Sequence, residues 1–404
     1  MHTLLTILKN RTGGLLFITL FILSLAQTTP LTAQTQNTPK LPGIHEAMQK
    51  FIDAGDIAGA ETLVVTKDKT LHTDVAGLAN MESKEPMQAN TLFWIASMTK
   101  PVTAVSVLML QDQGKLNVND PVSKYIRAFA NLKTPSGKLA NLTIKQILTH
   151  TSGLGEADDK DILNAKTLAD LIPLFLAAPM QYEPGSKWKY TQSGINVAAH
   201  IVEITSGMSF NKFVQKMVFD PLGMTSSTFY PDKNPNRAIG YTKNKSTGKL
   251  EPTPLPAIYS GKENQPPLGN GGIYSTGPDY ARFCQMLLGN GVYNGKRYLS
   301  NEAMKLLTTI QTGDLPAGFI SNHGADYGWG IGVCIQRRPH DGVGSMLSAG
   351  TFGHGGAWGT QAWIDPVRGV AYIIMVQRPG INGDESELRR MFQQAAADAL
   401  IKNN

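Results

Sequence analysis

Strand patterns sit at the two ends of this chain and helical patterns fill its middle, so one sheet here must be assembled from residues far apart in sequence. Near the start, a helix fits Ile44 to Ala54, with Ile44, Met48, Phe51 and Ile52 on one side. Strands are expected over Glu61–Thr66 and Leu71–Ala76, parted by the polar turn Lys67-Asp68-Lys69. From about Gly114 to Met286 helical patterns alternate with turn clusters, among them Thr167–Leu176 and Ile195–Thr205. Strand signals return at Tyr327–Ile335, Trp358–Ile364 and Val370–Val376, and an amphipathic helix closes the chain over Glu385–Ile401. The expected fold class is α/β in the broad sense, of the α+β type. It has a largely antiparallel sheet, flanking terminal helices and an inserted helical region.

The first segment stands apart from that body. Lys9 and Arg11 precede an apolar run from Leu15 to Leu25, followed by small and polar residues. This reads as a secretory signal over residues 1–33, cleaved after Ala26 or Ala33, and places the protein outside the cytoplasm, periplasmic or secreted. The run is shorter than the ~20 residues of a spanning helix, so no membrane association is expected beyond an uncleaved signal. Residues 34–43 read as a flexible lead-in and 44–404 as the folded domain. The net charge of +6 falls to +4 without Lys9 and Arg11, and the remaining basic residues are scattered. Nucleic acid is therefore not an expected partner. The eight histidines are dispersed, so neither metal nor other cofactor is implied. Cys284 and Cys334 are the only cysteines, and the sequence leaves open whether they pair. Nothing in it specifies an oligomeric state.

Within the run Leu92–Pro101, Ser97 stands three residues ahead of Lys100. That spacing brings both side chains to one helix face, where an amine can take the proton of a hydroxyl nucleophile. Ser-x-x-Lys recurs at Ser186/Lys189, Ser209/Lys212 and Ser246/Lys249, so context decides. Only Ser97 follows an apolar stretch and opens a long aliphatic helix pattern (Val102, Val105, Leu108, Met109). The competing reading of Ser97 is a helix N-cap.

Two more segments supply what acyl transfer needs. In Glu183–Gly194, Tyr190 follows a turn and precedes a helix, so its phenol can share a proton with Ser97 and Lys100. In Phe352–Gly359, Gly355 and Gly356 let backbone approach closely, and the amide of Ala357 can join that of Ser97 in stabilising an oxyanion. Taken singly, each segment is an ordinary loop; together with Ser97 they form a set. Trp94, Trp188 and Trp358 are candidate walls of an acyl pocket, Trp358 foremost, against the alternative of core packing.

As a set, the chain resembles the serine β-lactamase and penicillin-binding-protein superfamily, in particular class C β-lactamases and family VIII carboxylesterases, over about residues 44–402. Further family-like stretches are His150-Thr151-Ser152-Gly153-Leu154, Phe219–Thr225 and Gly271–Thr276. The resemblance implies a β-lactamase/transpeptidase-like fold, with Ser97 the acylated nucleophile and Lys100 its proton acceptor. It further implies Tyr190 as base or shuttle, and the Ser97 and Ala357 amides as oxyanion hole. His150 is implied to be structural. Two departures stand out. Gln192 replaces the asparagine of the family's Tyr-x-Asn, and His354-Gly355-Gly356 replaces Lys-Thr-Gly. Gln192, His354, Gly355, Gly356 and Trp358 are the expected substrate-binding residues. A histidine, mostly neutral at pH 7, is a weaker anion clamp than lysine, which turns the expectation toward small acyl esters. The alternatives are a β-lactamase, D-Ala-D-Ala carboxypeptidase or D-amino peptidase acting on amides, and a non-catalytic penicillin-binding-like receptor.

Overall fold

The computed structural model describes residues 40–231, 234–317, 324–339, 347–381, 383 and 386–402. The expected leader, 1–33, lies outside the described residues. Of the expected flexible lead-in only 40–43 are described, and Lys40 and Leu41 are docked. Lys40 pairs with Asp74 at 2.5 Å, Leu41 is buried, and its N–H donates to His72 Nδ1 at 3.0 Å.

The sheet draws its strands from both ends of the chain. They are β1 (Gly59–Val65), β2 (Thr70–Asn80), β3 (Glu85–Pro86), β4 (Tyr327–Trp329), β5 (Cys334–Gln336), β6 (Phe352–Gly355), β7 (Gln361–Asp365) and β8 (Val370–Met375). Their spatial order is β4-β5-β6-β7-β8-β1-β2-β3, every neighbouring pair antiparallel. The β1–β8 seam, with Leu63 opposite Ile373 and Glu61 opposite Met375, joins the N-terminal hairpin to the C-terminal strands.

Every residue of β1 and β8 is buried because both faces of the sheet are covered. Val64, Tyr372, Ile374 and Trp363 pack toward helices α1 (Ile44–Asp53) and α5 (Glu387–Lys402). Leu63, Val65, Ile373 and Met375 face the inserted helices α2 (Thr99–Asp112), α3 (Ser193–Ser206) and α4 (Gly277–Leu288). Cys284 and Cys334 belong to these opposite layers and are not joined by a disulfide.

Helix α2 is the centre of the helical layer. Thr99 through Leu110 are all buried, which explains a sequence apolar on every side rather than on one stripe. Its threonines serve a neighbouring loop. Thr103 Oγ1 donates to Gly269 O at 2.7 Å, and Thr99 Oγ1 accepts the Ile273 N–H at 3.1 Å. Short strands Phe93–Trp94 and Tyr274–Ser275 pair beside them. Segment 269–275 is thus fastened across the N-terminus of α2.

Two strand expectations need correction. Tyr327–Ile335 is not one strand but the hairpin β4–β5. Gly332 adopts φ +74°, and a Cβ at Gly330 would lie 1.9 Å from Leu307 O, so the chain must turn there. Trp358 lies in a turn, and β7 starts only at Gln361.

Candidate active site

Three segments converge on the N-terminus of α2: the turn carrying Ser97, the Tyr190–Gln192 turn before α3, and the end of β6. Ser97 sits in a single 3₁₀ turn, Ala96–Met98, rather than within α2 itself. Ala96 before it is held at φ +47°, a left-handed conformation that costs an alanine about 1 kcal/mol. The Ile95 N–H donates to Ile273 O at 3.1 Å and the Met98 N–H to Ile95 O at 3.1 Å, which keeps the nucleophile's turn in place.

Lys100 follows in the first turn of α2. Its side chain is fully buried, and Nζ makes three contacts: Ser97 Oγ at 3.0 Å, Gln192 Oε1 at 2.9 Å and Asn270 O at 2.7 Å. Two of these partners are carbonyl-type oxygens that only accept. A neutral amine spends its two N–H bonds on them and turns its lone pair to the Ser97 hydroxyl. Burial pushes the Lys100 pKa well below the ordinary lysine value, with Glu156 opposing.

The Tyr190 hydroxyl lies 2.8 Å from Ser97 Oγ, with Lys100 Nζ 4.7 Å from the centre of its ring. On its other side, 3.5 Å away, is Nε2 of His354. Nδ1 of His354 meets Gly355 O at 2.6 Å and must donate to it, which leaves Nε2 as the unprotonated nitrogen. His354 is 1% exposed, and burial, reinforced by Lys100, lowers its pKa to about 3. The imidazole is therefore neutral and packed beside the phenol. His354, an expected substrate-binding residue, is buried beside the Tyr190 hydroxyl.

At the end of β6 the backbone must come close to the nucleophile's strand. A Cβ on Gly356 would stand 2.0 Å from Thr360 Oγ1 and 2.6 Å from Ile95 O. Gly355 closes β6, and Ala357 follows as an exposed turn residue. The buried Arg389 of α5 holds this turn from beneath, donating to Gly356 O at 2.7 Å and Thr360 O at 2.9 Å. Trp358 is packed edge-on against Trp94, ring centres 5.6 Å apart, in a cluster with Leu92 and Tyr274. A cavity of about 360 Å³ beside that cluster is lined by Leu92, Trp94, Leu255 and Tyr274, but not by Trp358. Trp188 packs on the far side of Tyr190.

The sequence reading missed three residues of this arrangement. Asn270 donates through Nδ2 to Gln192 Oε1 at 2.9 Å and to the Tyr259 hydroxyl at 2.6 Å. Its signal was its place beside the Gly271–Thr276 stretch. Glu156 follows the His150–Leu154 stretch in the same way, and accepts from the Gln192 and Ser193 amides. Arg389 carried no local signal. His150 is buried at φ +60°, with its Nδ1 accepting the Thr191 N–H at 3.2 Å and its ring packed on Tyr190, centres 4.5 Å apart. Among the described residues, no group of three or more His, Cys, Asp or Glu side chains is arranged to hold a metal.

The beta-lactamase family profile matches residues 44–396. The chain belongs to that family. It is 30% identical to protein Rv1367c of Mycobacterium tuberculosis over 375 residues, covering 83% of this chain and 90% of that one. Esterase EstB of Burkholderia gladioli is 26% identical over 79% of this chain and 86% of its own. Among solved structures, EstCE1, described as a hydrolase with promiscuous acyltransferase activity, superposes with a TM-score of 0.75 at 21% identity. That match covers 88% of this chain and 97% of the other, and it shows the shared fold. The chain is a serine hydrolase of the beta-lactamase and penicillin-binding-protein group. No helix among the described residues is long and apolar enough to cross a membrane.

Proposed function

We propose that this protein is an exported carboxylesterase that hydrolyses small, neutral acyl esters through an acyl-Ser97 intermediate. The observation that carries the reading is the placing of Lys100 Nζ and the Tyr190 hydroxyl on one oxygen, Ser97 Oγ, at 3.0 and 2.8 Å. Export is supported by the basic and apolar pattern of residues 1–33.

In this mechanism neutral Lys100 takes the Ser97 proton, directly or across the Tyr190 hydroxyl, as Oγ attacks the ester carbonyl. At the usual lysine pKa only about one side chain in a thousand is neutral at pH 7, so the burial of Lys100 is what makes it a base. The amides of Ser97 and Ala357 stabilise the tetrahedral oxyanion. The proton then passes to the departing alkoxide, leaving acyl-Ser97 and an alcohol. Water, deprotonated by the same pair, attacks the acyl carbon; the Oγ–acyl bond breaks, the proton returns to Ser97 Oγ, and the carboxylic acid leaves. Neutral substrates are favoured because position 354 presents a buried, uncharged imidazole where the family's lysine would present a cation to a carboxylate.

The test compares kcat/KM for a short-chain p-nitrophenyl ester with that for a chromogenic cephalosporin, in wild type and in Ser97→Ala. Preference for the ester, lost in the variant, is the expected result. Preference for the cephalosporin would make the protein a β-lactamase, and full activity in Ser97→Ala would end the mechanism.

A further inference from the structure

One short segment, His150–Glu156, takes up the backbone amides on both sides of Tyr190. The Lys189 N–H donates to His150 O at 3.0 Å, and the Thr191 N–H to His150 Nδ1 at 3.2 Å. The Gln192 N–H then donates to Glu156 Oε1 at 2.6 Å, and the Ser193 N–H to Glu156 Oε2 at 3.0 Å. Glu156 is the only charged member of the set. As a residue it is exposed, but both carboxylate oxygens are turned onto the start of α3, where a negative charge also meets the positive end of the helix dipole.

We propose that Glu156 is a positioning residue of the hydrolytic centre: it fixes the Tyr190–Gln192 turn and sets a negative charge toward Lys100. The proposal rests on the serine-hydrolase reading of Ser97. A carboxylate bonded to two successive amides fixes both the place and the tilt of the Gln192 peptide. The Gln192 side chain leaves from that peptide and reaches Lys100 Nζ with its Oε1 at 2.9 Å, so an error at the backbone is passed to the general base. A neutral amide at position 156 offers one acceptor in place of two and repels the second N–H.

The charge has its own effect. The titratable groups facing Lys100 are Tyr190, His150, His354 and Glu156. Burial keeps both histidines neutral. Burial of its carboxylate raises the Glu156 pKa, opposed by the two amide bonds and by Lys100. Ionised, Glu156 is the one anion acting on Lys100 among the described residues, and it favours the ammonium. Its removal lowers the Lys100 pKa further and moves the acidic limb of reactivity to lower pH. The lost contacts slow the reaction at the same time. A purely structural role would lower thermal stability without moving the limb.

The experiment follows phosphonylation of Ser97 by a fluorophosphonate, which reads the nucleophile whatever the natural substrate. The maximal rate and half-saturating concentration are measured from pH roughly 5 to 9, with a short-chain p-nitrophenyl ester in parallel. Wild type is compared with Glu156→Gln, Glu156→Ala and Glu156→Asp, with Ser97→Ala as control. Glu156→Ala should lose about 100-fold in maximal rate with little change in half-saturation. Glu156→Gln should lose about tenfold and shift its acidic limb down by roughly half a pH unit or more, while Glu156→Asp recovers part of the rate. Rates within about twofold of wild type and an unmoved limb, with Ser97→Ala inert, would overturn the role of Glu156 alone. So would rate losses that follow the folded fraction with the limb unmoved. Wild-type Ser97 left unlabelled, or Ser97→Ala still hydrolysing the ester, would overturn the reading beneath it.

Discussion

Gln192 Oε1 receives two hydrogen bonds of 2.9 Å, one from Lys100 and one from Asn270. The extra methylene relative to the family's asparagine is absorbed because Asn270 holds the longer amide from behind. Asn270 is itself fixed by its N–H on Asn196 Oδ1 at 3.2 Å and by its donor bond to the Tyr259 hydroxyl. Asn270→Ala should therefore release Gln192, lower kcat about tenfold and leave KM nearly unchanged. The lost bonds should cost about 1–2 kcal/mol of stability. Steady-state kinetics with urea denaturation of the same sample checks both, and an unchanged kcat would remove Asn270 from the site. Gln192→Asn should show the same kinetic pattern, because it withdraws the oxygen by about one bond, ~1.5 Å.

Gly356 is a point at which the sheet and the nucleophile's strand touch. With Ile95 O 2.6 Å from where a Cβ would stand, Gly356→Ala has to push the 356–360 turn away from Ser97. The neighbouring Ala357 amide moves with it. The expected loss is about 1–3 kcal/mol of stability, from overpacking against backbone. The same variant should lose about 100-fold in kcat, from a misplaced oxyanion donor. Differential scanning calorimetry and ester turnover test the pair. Normal turnover in a folded variant would show that the turn does not stabilise the oxyanion.

Sequence made Ser97, Lys100, Tyr190 and Gln192 legible because their chemistry is written in local spacing. The first pair is one helical turn apart, and the second sits in a turn that opens a helix. The sheet from both chain ends was legible for a similar reason, since β-branched and apolar runs such as Thr62–Thr66 and Val370–Val376 suit strands. Asn270 was not, because its role depends on Gln192, 78 positions away, and on threonines inside a buried helix that tie its loop down. The hairpin β4–β5 was read as one strand because its apolar run is unbroken except by glycines. The turn is set by Gly332 at φ +74° and by the close approach of Gly330 to Leu307 O, neither of which the run itself discloses. Trp358, expected at a pocket wall, packs edge-on against Trp94, a contact no local pattern discloses.

Acid should expose the buried imidazole of His354. Its folded pKa of about 3 lies below the ordinary histidine value of 6.5, so between these values the unfolded chain binds a proton that the native chain does not. Stability from this group is complete above pH 6.5 and is lost as pH falls toward 3. In His354→Gln that dependence should vanish, and the difference in urea midpoint between pH roughly 4 and 7 should shrink. His72, lowered to about 4 by burial, contributes in the same direction in both proteins and cancels in the comparison. Equal pH dependence in wild type and variant would mean that the imidazole titrates normally in the folded protein.

Changing His354 to lysine tests the specificity argument directly. The new ammonium would lie beside the Tyr190 hydroxyl, now 3.5 Å from the imidazole, and put a cation where a neutral imidazole stands. A charge-assisted bond to a substrate carboxylate is worth about 1.5–3 kcal/mol, so the ratio of cephalosporin to ester turnover should rise about ten- to a hundredfold. A second cation near Lys100 also lowers the pKa of that base further, so the acidic limb of ester hydrolysis should move to lower pH. The two readouts separate the effects. A moved limb with an unchanged ratio would mean that the lysine reaches the proton-transfer network but no substrate, and position 354 would then not decide between esters and lactams.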